Sequence, residues 1–499
     1  MSGADRHEVR LDLRLVPAAM TSWAVTAAGI SWSIGWVVVL LSAAVAASAT
    51  AWWDGRHRAL RDGARMTAAA VVAIALIGLG FAVAIQLRVE QIRHHLLVDR
   101  YGDVAAVIVT PSETPRSLGG GRLMFRGSLR YVAGNEMSGR VVVFASMAGF
   151  GELAAGQPAA FKARISRPTR RDLTVAVLSA TGEPTLGEAA PVLRAGQRVR
   201  TAFATAARDA LPADQAAMLP ALVLGDTSAL SADTTAQFRA AGLTHLTAVS
   251  GANVTIVCGA VLLTAVLVGP RTAVVFAGGA LVAFVIVVQP SASVLRAAVM
   301  AAITLLAVVT HRRRQAIPVL SATIIALMIA TPELAVDLGF ALSVSATAAL
   351  VVIAPGWSRR LVARGWPKPL ADAVSVAVAA QLVTAPLVAA ISGTLSVVAA
   401  LANLAVAVVV APITVIGTAA AALSVWWPAG ADLLIRFTGP ELWWLLGVAR
   451  LASGIPGASV PVPSGLPGAL TIGAAGLGAV VLSWWWHKRL SARHDTIRT

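Results

Sequence analysis

Apolar residues run almost unbroken over 15–53, about twice the ~20 residues that one crossing of a hydrocarbon core requires, with Gly29, Ser31 and Gly35 clustered where a turn can fall. The pattern predicts a tight helical hairpin. A basic stretch carrying Arg56, Arg58, Arg61 and Arg65 follows, and then a third apolar run over 66–87. From 89 to about 190 the period changes to alternation, with expected strands at 104–110, 123–132, 140–145, 159–165 and 173–178 separated by Gly, Pro, Asn and Ser. A small barrel of the OB type is the economical way to hide the edges of five such strands.

Residues 191–243 are amphipathic: Leu193, Val199, Phe203, Ala206 and Ala207 recur at helical spacing between Arg194, Arg198, Arg200 and Arg208. A second short helix is expected to start at the N-cap Ser231, with Asp233 in its first turn, and to stop at Gly242. Nine apolar runs then begin near Thr244, Ala273, Ala292, Ile317, Leu334, Leu370, Leu395, Ala411 and Leu466, if 395–427 is split at Pro412 into two short spans. A re-entrant piece there, or a surface helix at 441–452, is the alternative.

Composition agrees with this pattern. Of 499 residues 57% are hydrophobic and 13% charged, against roughly 45–50% and 25% in soluble domains. A soluble enzyme and a disordered chain are excluded. Lys and Arg number 40 against 24 Asp and Glu, a net +16; in a membrane protein such an excess mostly orients the spans. Arg312, Arg313 and Arg314, then Arg359, Arg360, Arg364 and Lys368, then Lys488, Arg489, Arg493 and Arg498 all fall inside if there are about 12 spans with both termini cytoplasmic. Three spans from that start put the β domain outside. The apolar stretch after Arg14 lacks a cleavage pattern, so the N-terminus is expected to be retained. The single cysteine, Cys258, allows no intrachain disulfide or cysteine-rich metal site.

The expected architecture is therefore an α-helical polytopic membrane protein with an extracytoplasmic OB-like β-barrel domain. Its expected parts are a three-span region at 1–88, the β domain at 89–190, amphipathic linker helices at 191–243, a second membrane domain at 244–487 and a basic tail at 488–499.

Polar groups inside spans are costly and mark candidate sites. His245, Ser250, Gly251 and Asn253 interrupt the start of the fourth span, where broken helix would free backbone groups to line a cavity. Arg296 and Asp337 fall early in the sixth and eighth spans, roughly 7–9 Å deep at 1.5 Å per residue. They are read either as a mutual clamp or as pore lining. Gln381, before Pro386, and Asn403 add one amide each, for which an interhelical hydrogen bond is the plainer reading. Catalytic chemistry is poorly supplied. The eight histidines form no metal-ligand cluster, Ser250 lacks a nucleophile elbow, and no cofactor is implied.

Between 89 and 194 the β domain holds 13 Lys and Arg against 9 Asp and Glu. Arg122, Arg126, Arg130 and Tyr131, with Lys162 and Arg164, suit a single strand of nucleic acid, because cations track phosphates while rings stack bases. The plainer reading is a solvated basic face over Phe125 and Phe161. Asp99 and Asp103, flanking Tyr101, are the nearest approach to a metal-holding carboxylate pair.

Four stretches carry a resemblance. They are ALVLGDTSAL at 221–230 followed by FRAAGLTHLTAVSGANV at 238–254, PSASVLRAAVMAAITLLAV at 290–308, PELAVDLGFALSVSATAAL at 332–350 and AAQLVTAPLVAAISGTLSVVAALANLAV at 379–406. In order and spacing the chain resembles ComEC-type competence proteins, the inner-membrane channels that admit transforming DNA as a single strand. The resemblance implies a bacterial cytoplasmic-membrane channel, not an enzyme, with Gly225 and Asp226 joining His245, Ser250, Gly251, Asn253, Arg296, Asp337, Gln381 and Asn403 along its path. Implied partners are single-stranded DNA, the bilayer, a DNA receptor, a nuclease, and a cytoplasmic ATP-driven motor or single-strand-binding protein. The chain departs from the family where many members read SGLHV and it reads SGANV, so Asn253 replaces an imidazole and a proton relay there is disfavoured. It also has no HxHxDH run of the C-terminal metallo-β-lactamase-like domain that many members carry, and is expected to be a short form. The rival readings are a secondary transporter for a smaller solute and a membrane-embedded nuclease in the OB-like domain.

Overall fold

The computed structural model describes residues 12–32, 35–56, 62–249, 251–265, 269–310 and 315–478. Ser250, Arg58, Arg61, Arg312, Arg313, Arg314, Lys488, Arg489, Arg493 and Arg498 lie outside the described residues, as do the side chains of Arg56 and Arg65. In chain order the elements are α1 (Val16–Ser31), α2 (Gly35–Arg56), α3 (Asp62–Arg93), β1 (Val104–Pro111), β2 (Arg116–Gly119), β3 (Arg122–Val132), β4 (Asn135–Ser146), α4 (Met147–Phe150), β5 (Ala159–Ser166), β6 (Ala176–Leu186), α5 (Pro191–Ala210), α6 (Ala213–Leu224) and α7 (Ala232–Ala240). There follow α8 (Gly251–Ala265), α9 (Pro270–Val288), α10 (Ala292–Val309), α11 (Ala316–Ala330), α12 (Leu338–Val352), α13 (Ala354–Ala363), α14 (Lys368–Ser392), β7 (Thr394–Ser396), α15 (Ala399–Leu423), α16 (Pro428–Phe437), α17 (Gly439–Gly454), β8 (Ser459–Pro461) and α18 (Gly465–Gly478). Five of the described helices are long and apolar enough to cross a membrane.

The chain divides into two compact units. The first comprises residues 1–206, 249–340 and 421–428. It contains the β-barrel. Strand pairing runs β1-β5-β6-β4-β3, and β1 pairs β3 to close the ring, with β4 and β6 parallel and the other pairs antiparallel. This is an OB-like barrel. Alternation along each strand sends one side chain in two to a core of Phe125, Leu129, Val143, Phe161, Ile165 and Leu178, plugged at one end by Phe150 of α4. Two strand starts differ from the expected ones for local reasons. The β3–β4 hairpin turns on Ala133 and Gly134, both at positive φ, so β4 begins at Asn135. Asp172 Oδ1 accepts from the Thr174 N–H at 3.3 Å and Leu173 takes φ +64°, so β6 starts only at Ala176. The short β2, beside β3, carried no alternating pattern to announce it.

Around the barrel, the ends of several helices are fixed to one side of this unit. Arg140 of β4 forms an ion pair with Glu333 in the 3₁₀ turn Pro332–Val336. Arg171 donates to the Ser31 carbonyl at the end of α1 at 3.0 Å, and Thr114 donates to Gln289 just past α9. Trp23 of α1 donates to the Ala335 carbonyl at 2.9 Å and meets Phe340 edge-on. Gly29 is not a turn residue. It lies inside α1, where any side chain would strike Ile85 of α3, so its role is close helix packing.

The second unit comprises residues 207–248, 341–420 and 429–499. Here α14 runs unbroken through Pro386 and α15 through Pro412, so the expected division of 395–427 into two spans is wrong. An interior proline forfeits one backbone hydrogen bond, whereas ending a helix in apolar surroundings exposes several carbonyls at once. The strands β7 and β8 pair antiparallel and tie the end of α14 to the segment after α17. The helix α6 is buried on nearly every side rather than amphipathic, and Gly417 of α15 admits its Val223.

Candidate functional site

Within the second unit, three of the expected polar residues converge on one turn. α7 is launched by Ser231, whose Oγ accepts from the Thr234 N–H at 3.0 Å, and it ends where Leu243 N–H returns to the Phe238 carbonyl at 2.8 Å. That return needs Gly242 at φ +71°, and a Cβ there would overlap Ala399 at the start of α15. The exposed carbonyls of the turn are then claimed by side chains. Ser396 donates to the Ala240 carbonyl at 2.7 Å. Asn403 Nδ2 donates to its own helix at Ala399 O, 2.8 Å, and reaches Gly242 O at 3.5 Å. Gln381 Nε2 reaches the Ser396 carbonyl at 3.5 Å, and the His245 ring lies against the Gly242 carbonyl. The array is one of neutral donors and acceptors. It can exchange hydrogen bonds with a passing group without holding it as a fixed charge would.

Gly225 and Asp226 sit elsewhere in that unit with a local role. Gly225 takes φ +70° to end α6, the Asp226 N–H returns to Pro220 O at 3.2 Å, and Asp226 Oδ1 accepts from the Ser228 N–H and Oγ–H. They form a helix stop.

The first unit brings Gly251 and Arg296 together. Ser293 Oγ donates to the Val249 carbonyl at 2.9 Å, seating the start of α10 beside the start of α8. The buried Arg296 guanidinium then lies against the backbone of Gly251, where a Cβ would come within 3.2 Å of Nη2, and Nη1 reaches Met300 Sδ at 3.1 Å. Asn253 is buried in the first turn of α8. Asp337 takes no part in this cluster: its Oδ1 accepts from the Phe340 N–H at 2.8 Å and caps α12. The mutual clamp, one of the two readings of Arg296 and Asp337, is absent among the described ion pairs, and the carboxylate is engaged at the helix start instead.

On the barrel the six expected nucleic-acid contacts all lie on the outward side of two strands, β3 and β5. Arg122 and Arg126 project from β3 beside exposed Phe144 and half-buried Val142 of β4. Phe144 lies opposite Met124 on one side and Ser179 on the other, and Ser179 in turn lies opposite Arg164. Tyr131 and Lys162 line a groove over β1. A register shift between Leu129 and Tyr131 turns both Arg130 and Tyr131 outward. Burial, reinforced by Arg126, lowers the Arg140 pKa, while Asp172, Glu113 and Asp337 oppose the shift.

Sequence reasoning missed four contributors. Ser396 hides in an apolar run, and Phe144 reads as one more core residue of a strand. Arg200, read only as one of several polar-face arginines, is buried and donates to the Val287 and Val288 carbonyls at the end of α9. Gln289 carried one available signal, a lone amide before Pro290 between two apolar runs.

A family model described as competence protein matches residues 222–489. The match spans the His245, Gln381 and Asn403 cluster and the Gly251–Arg296 contact, and leaves the barrel outside it. No curated protein and no solved structure matches the chain.

Proposed function

The chain belongs to the competence protein family, and from that membership we propose that this membrane protein is the channel through which DNA crosses the cytoplasmic membrane as a single strand during natural transformation. The observation that carries the reading is the convergence of Gln381, Ser396, Asn403 and His245 on the Gly242 turn, inside the matched region. Polar side chains and irregular backbone at such positions suit a hydrated route, because they are tolerated at membrane depth only within protein or along a cavity. Neutral donors also suit conduction, which needs contacts favourable enough to enter and weak enough to leave.

In this reading the barrel stands on the outer side and receives the strand on Arg122, Arg126, Arg130, Tyr131, Lys162 and Arg164. Counted from a cytoplasmic N-terminus, the eight spans that precede them bring Arg359, Arg360, Arg364 and Lys368 inside. In the first unit, Gly251, Asn253 and Arg296 are the residues assigned to the inward path; in the second unit, those of the Gly242 cluster are. A receptor, a nuclease for the other strand and a cytoplasmic motor complete the system; the chain has no GxxxxGK[ST] sequence with which to bind ATP itself.

The test is uptake of labelled DNA by a deletion strain and by the same strain carrying Gln381→Ala/Asn403→Ala. Deletion is expected to leave surface binding intact and abolish internalisation, and the double substitution to lower internalisation with normal protein levels in the membrane. Unchanged internalisation after deletion would overturn the channel.

A further inference from the structure

The barrel carries a surface groove of about 590 Å³ that lies over β1, between the end of β3 and strands β5 and β6. Its floor is made by Ala106 and Ile108, outward-facing residues of β1 that give it an apolar base. The register fixes the walls: Ile108 is opposite Tyr131 of β3, and Ala106 is opposite Lys162 of β5. Tyr131 and Lys162 therefore stand on opposite sides of β1, two strand spacings across and two residues along, or about 12 Å between their Cα atoms. The ring of Tyr131 is 40% exposed, held outward by the register shift that precedes it. Beyond Lys162 the groove continues to Thr181, opposite it on β6, and to Glu183.

An exposed ring on one wall and an exposed ammonium on the other, with an apolar floor of Ala106 and Ile108 between, match the two ends of a nucleotide. The ring offers a stacking face that accepts any base, and the ammonium offers a point charge for a phosphate. We propose that this groove holds one unpaired nucleotide of the incoming strand, its base stacked on Tyr131 and its phosphate on Lys162. The assignment rests on the DNA-conduit reading above and gives two of the barrel contacts named there distinct roles in holding one nucleotide. Glu183, in the same groove, opposes the phosphate and keeps the contact escapable.

The full chain in detergent micelles is titrated against a fluorescent 15-nucleotide oligo(dT) over a salt series. Lys162→Gln is expected to weaken binding and to reduce the slope of log affinity against log salt by about one. Tyr131→Ala is expected to weaken it about fivefold or more, Tyr131→Phe to bind as the parent does, and Glu183→Gln to bind more tightly. All three side chains are at the surface, and each variant's thermal midpoint checks that it is folded. If the parent binds oligo(dT) and both Lys162→Gln and Tyr131→Ala bind equally well, the groove assignment is overturned while the conduit reading stands. Equal damage by Tyr131→Phe and Tyr131→Ala overturns the stacking role. No binding by the parent at low salt overturns the groove and the receiving role of the barrel together.

Discussion

Gln289 accepts two hydrogen bonds from Thr114 on a single oxygen: Oε1 lies 3.1 Å from the Thr114 backbone nitrogen and 2.9 Å from its Oγ. Its backbone sits at φ +72°, ψ 148°, a region almost reserved for glycine, at a cost of about 1–3 kcal/mol. Three neighbours hold it there. Thr114 ties it to the barrel, Arg200 holds the carbonyls of Val287 and Val288 just before it, and Ser291 caps α10 just after it by accepting from the Val294 N–H. Gln289→Ala keeps the backbone cost and loses both hydrogen bonds, so its thermal midpoint in detergent is expected to fall. Gln289→Gly loses the same bonds but relieves the backbone, and is expected to fall between Ala and the parent. Equal midpoints for Ala and Gly would show that no strain is stored.

Gly242 meets two demands at once, a left-handed φ and an approach that leaves no room beside Ala399. Gly242→Ala is expected to destabilise by more than the ~1 kcal/mol of an ordinary helix-end substitution, because the Cβ displaces the start of α15 and with it Asn403. Adding Ala399→Gly removes the closest overlap but leaves Ala399 Cα at 3.1 Å and Ser396 Oγ at 3.2 Å, and it leaves the backbone cost. The double variant is expected to regain part of both stability and DNA internalisation. A single variant with parental stability would contradict the packing described.

The parts of this fold that the sequence disclosed are those with a strong local period. Alternation located four barrel strands and the first three residues of the fifth, β6, whose remainder to Leu186 buries no face against Phe125, Phe161 and their neighbours. The helix α7 was legible from Ser231 to Gly242 because cap and stop are both local chemistry. Long-range decisions were not legible. Whether Pro412 ends a helix depends on what surrounds it, and whether Asp337 reaches Arg296 depends on competition with the Phe340 N–H three residues away. In the candidate site, polar rarity marked Gln381 and Asn403, but only the tertiary path of β7 brings Ser396 to the same turn.

Because Asp337 caps α12, its replacement has a local signature. Asp337→Ala is expected to cost about 0.5–2 kcal/mol of stability, and Asp337→Asn much less, since an amide oxygen can still accept from the Phe340 N–H. Arg296→Gln acts on a different cluster, so Arg296→Gln/Asp337→Ala should sum within ~0.5 kcal/mol. A larger coupling energy in the double-mutant cycle would restore the mutual clamp.

Tyr101 gives the barrel an alkaline limit. Its hydroxyl donates to the Val175 carbonyl at 2.7 Å, joining the 3₁₀ turn Val98–Arg100 to the strand approach at β6. Burial pushes the phenol pKa up, with Arg167 opposing. The folded pKa is thus above the unfolded value of about 10. The contribution to stability is complete below that value and is lost as pH rises through the folded pKa, because the unfolded chain gives up the proton first. Tyr101→Phe is expected to lose about 1 kcal/mol near neutrality, from the missing hydrogen bond, and to show a flatter fall in thermal midpoint above pH 10. If parent and variant lose stability with the same alkaline slope, some other group sets the limit and Tyr101 is only a packing contact.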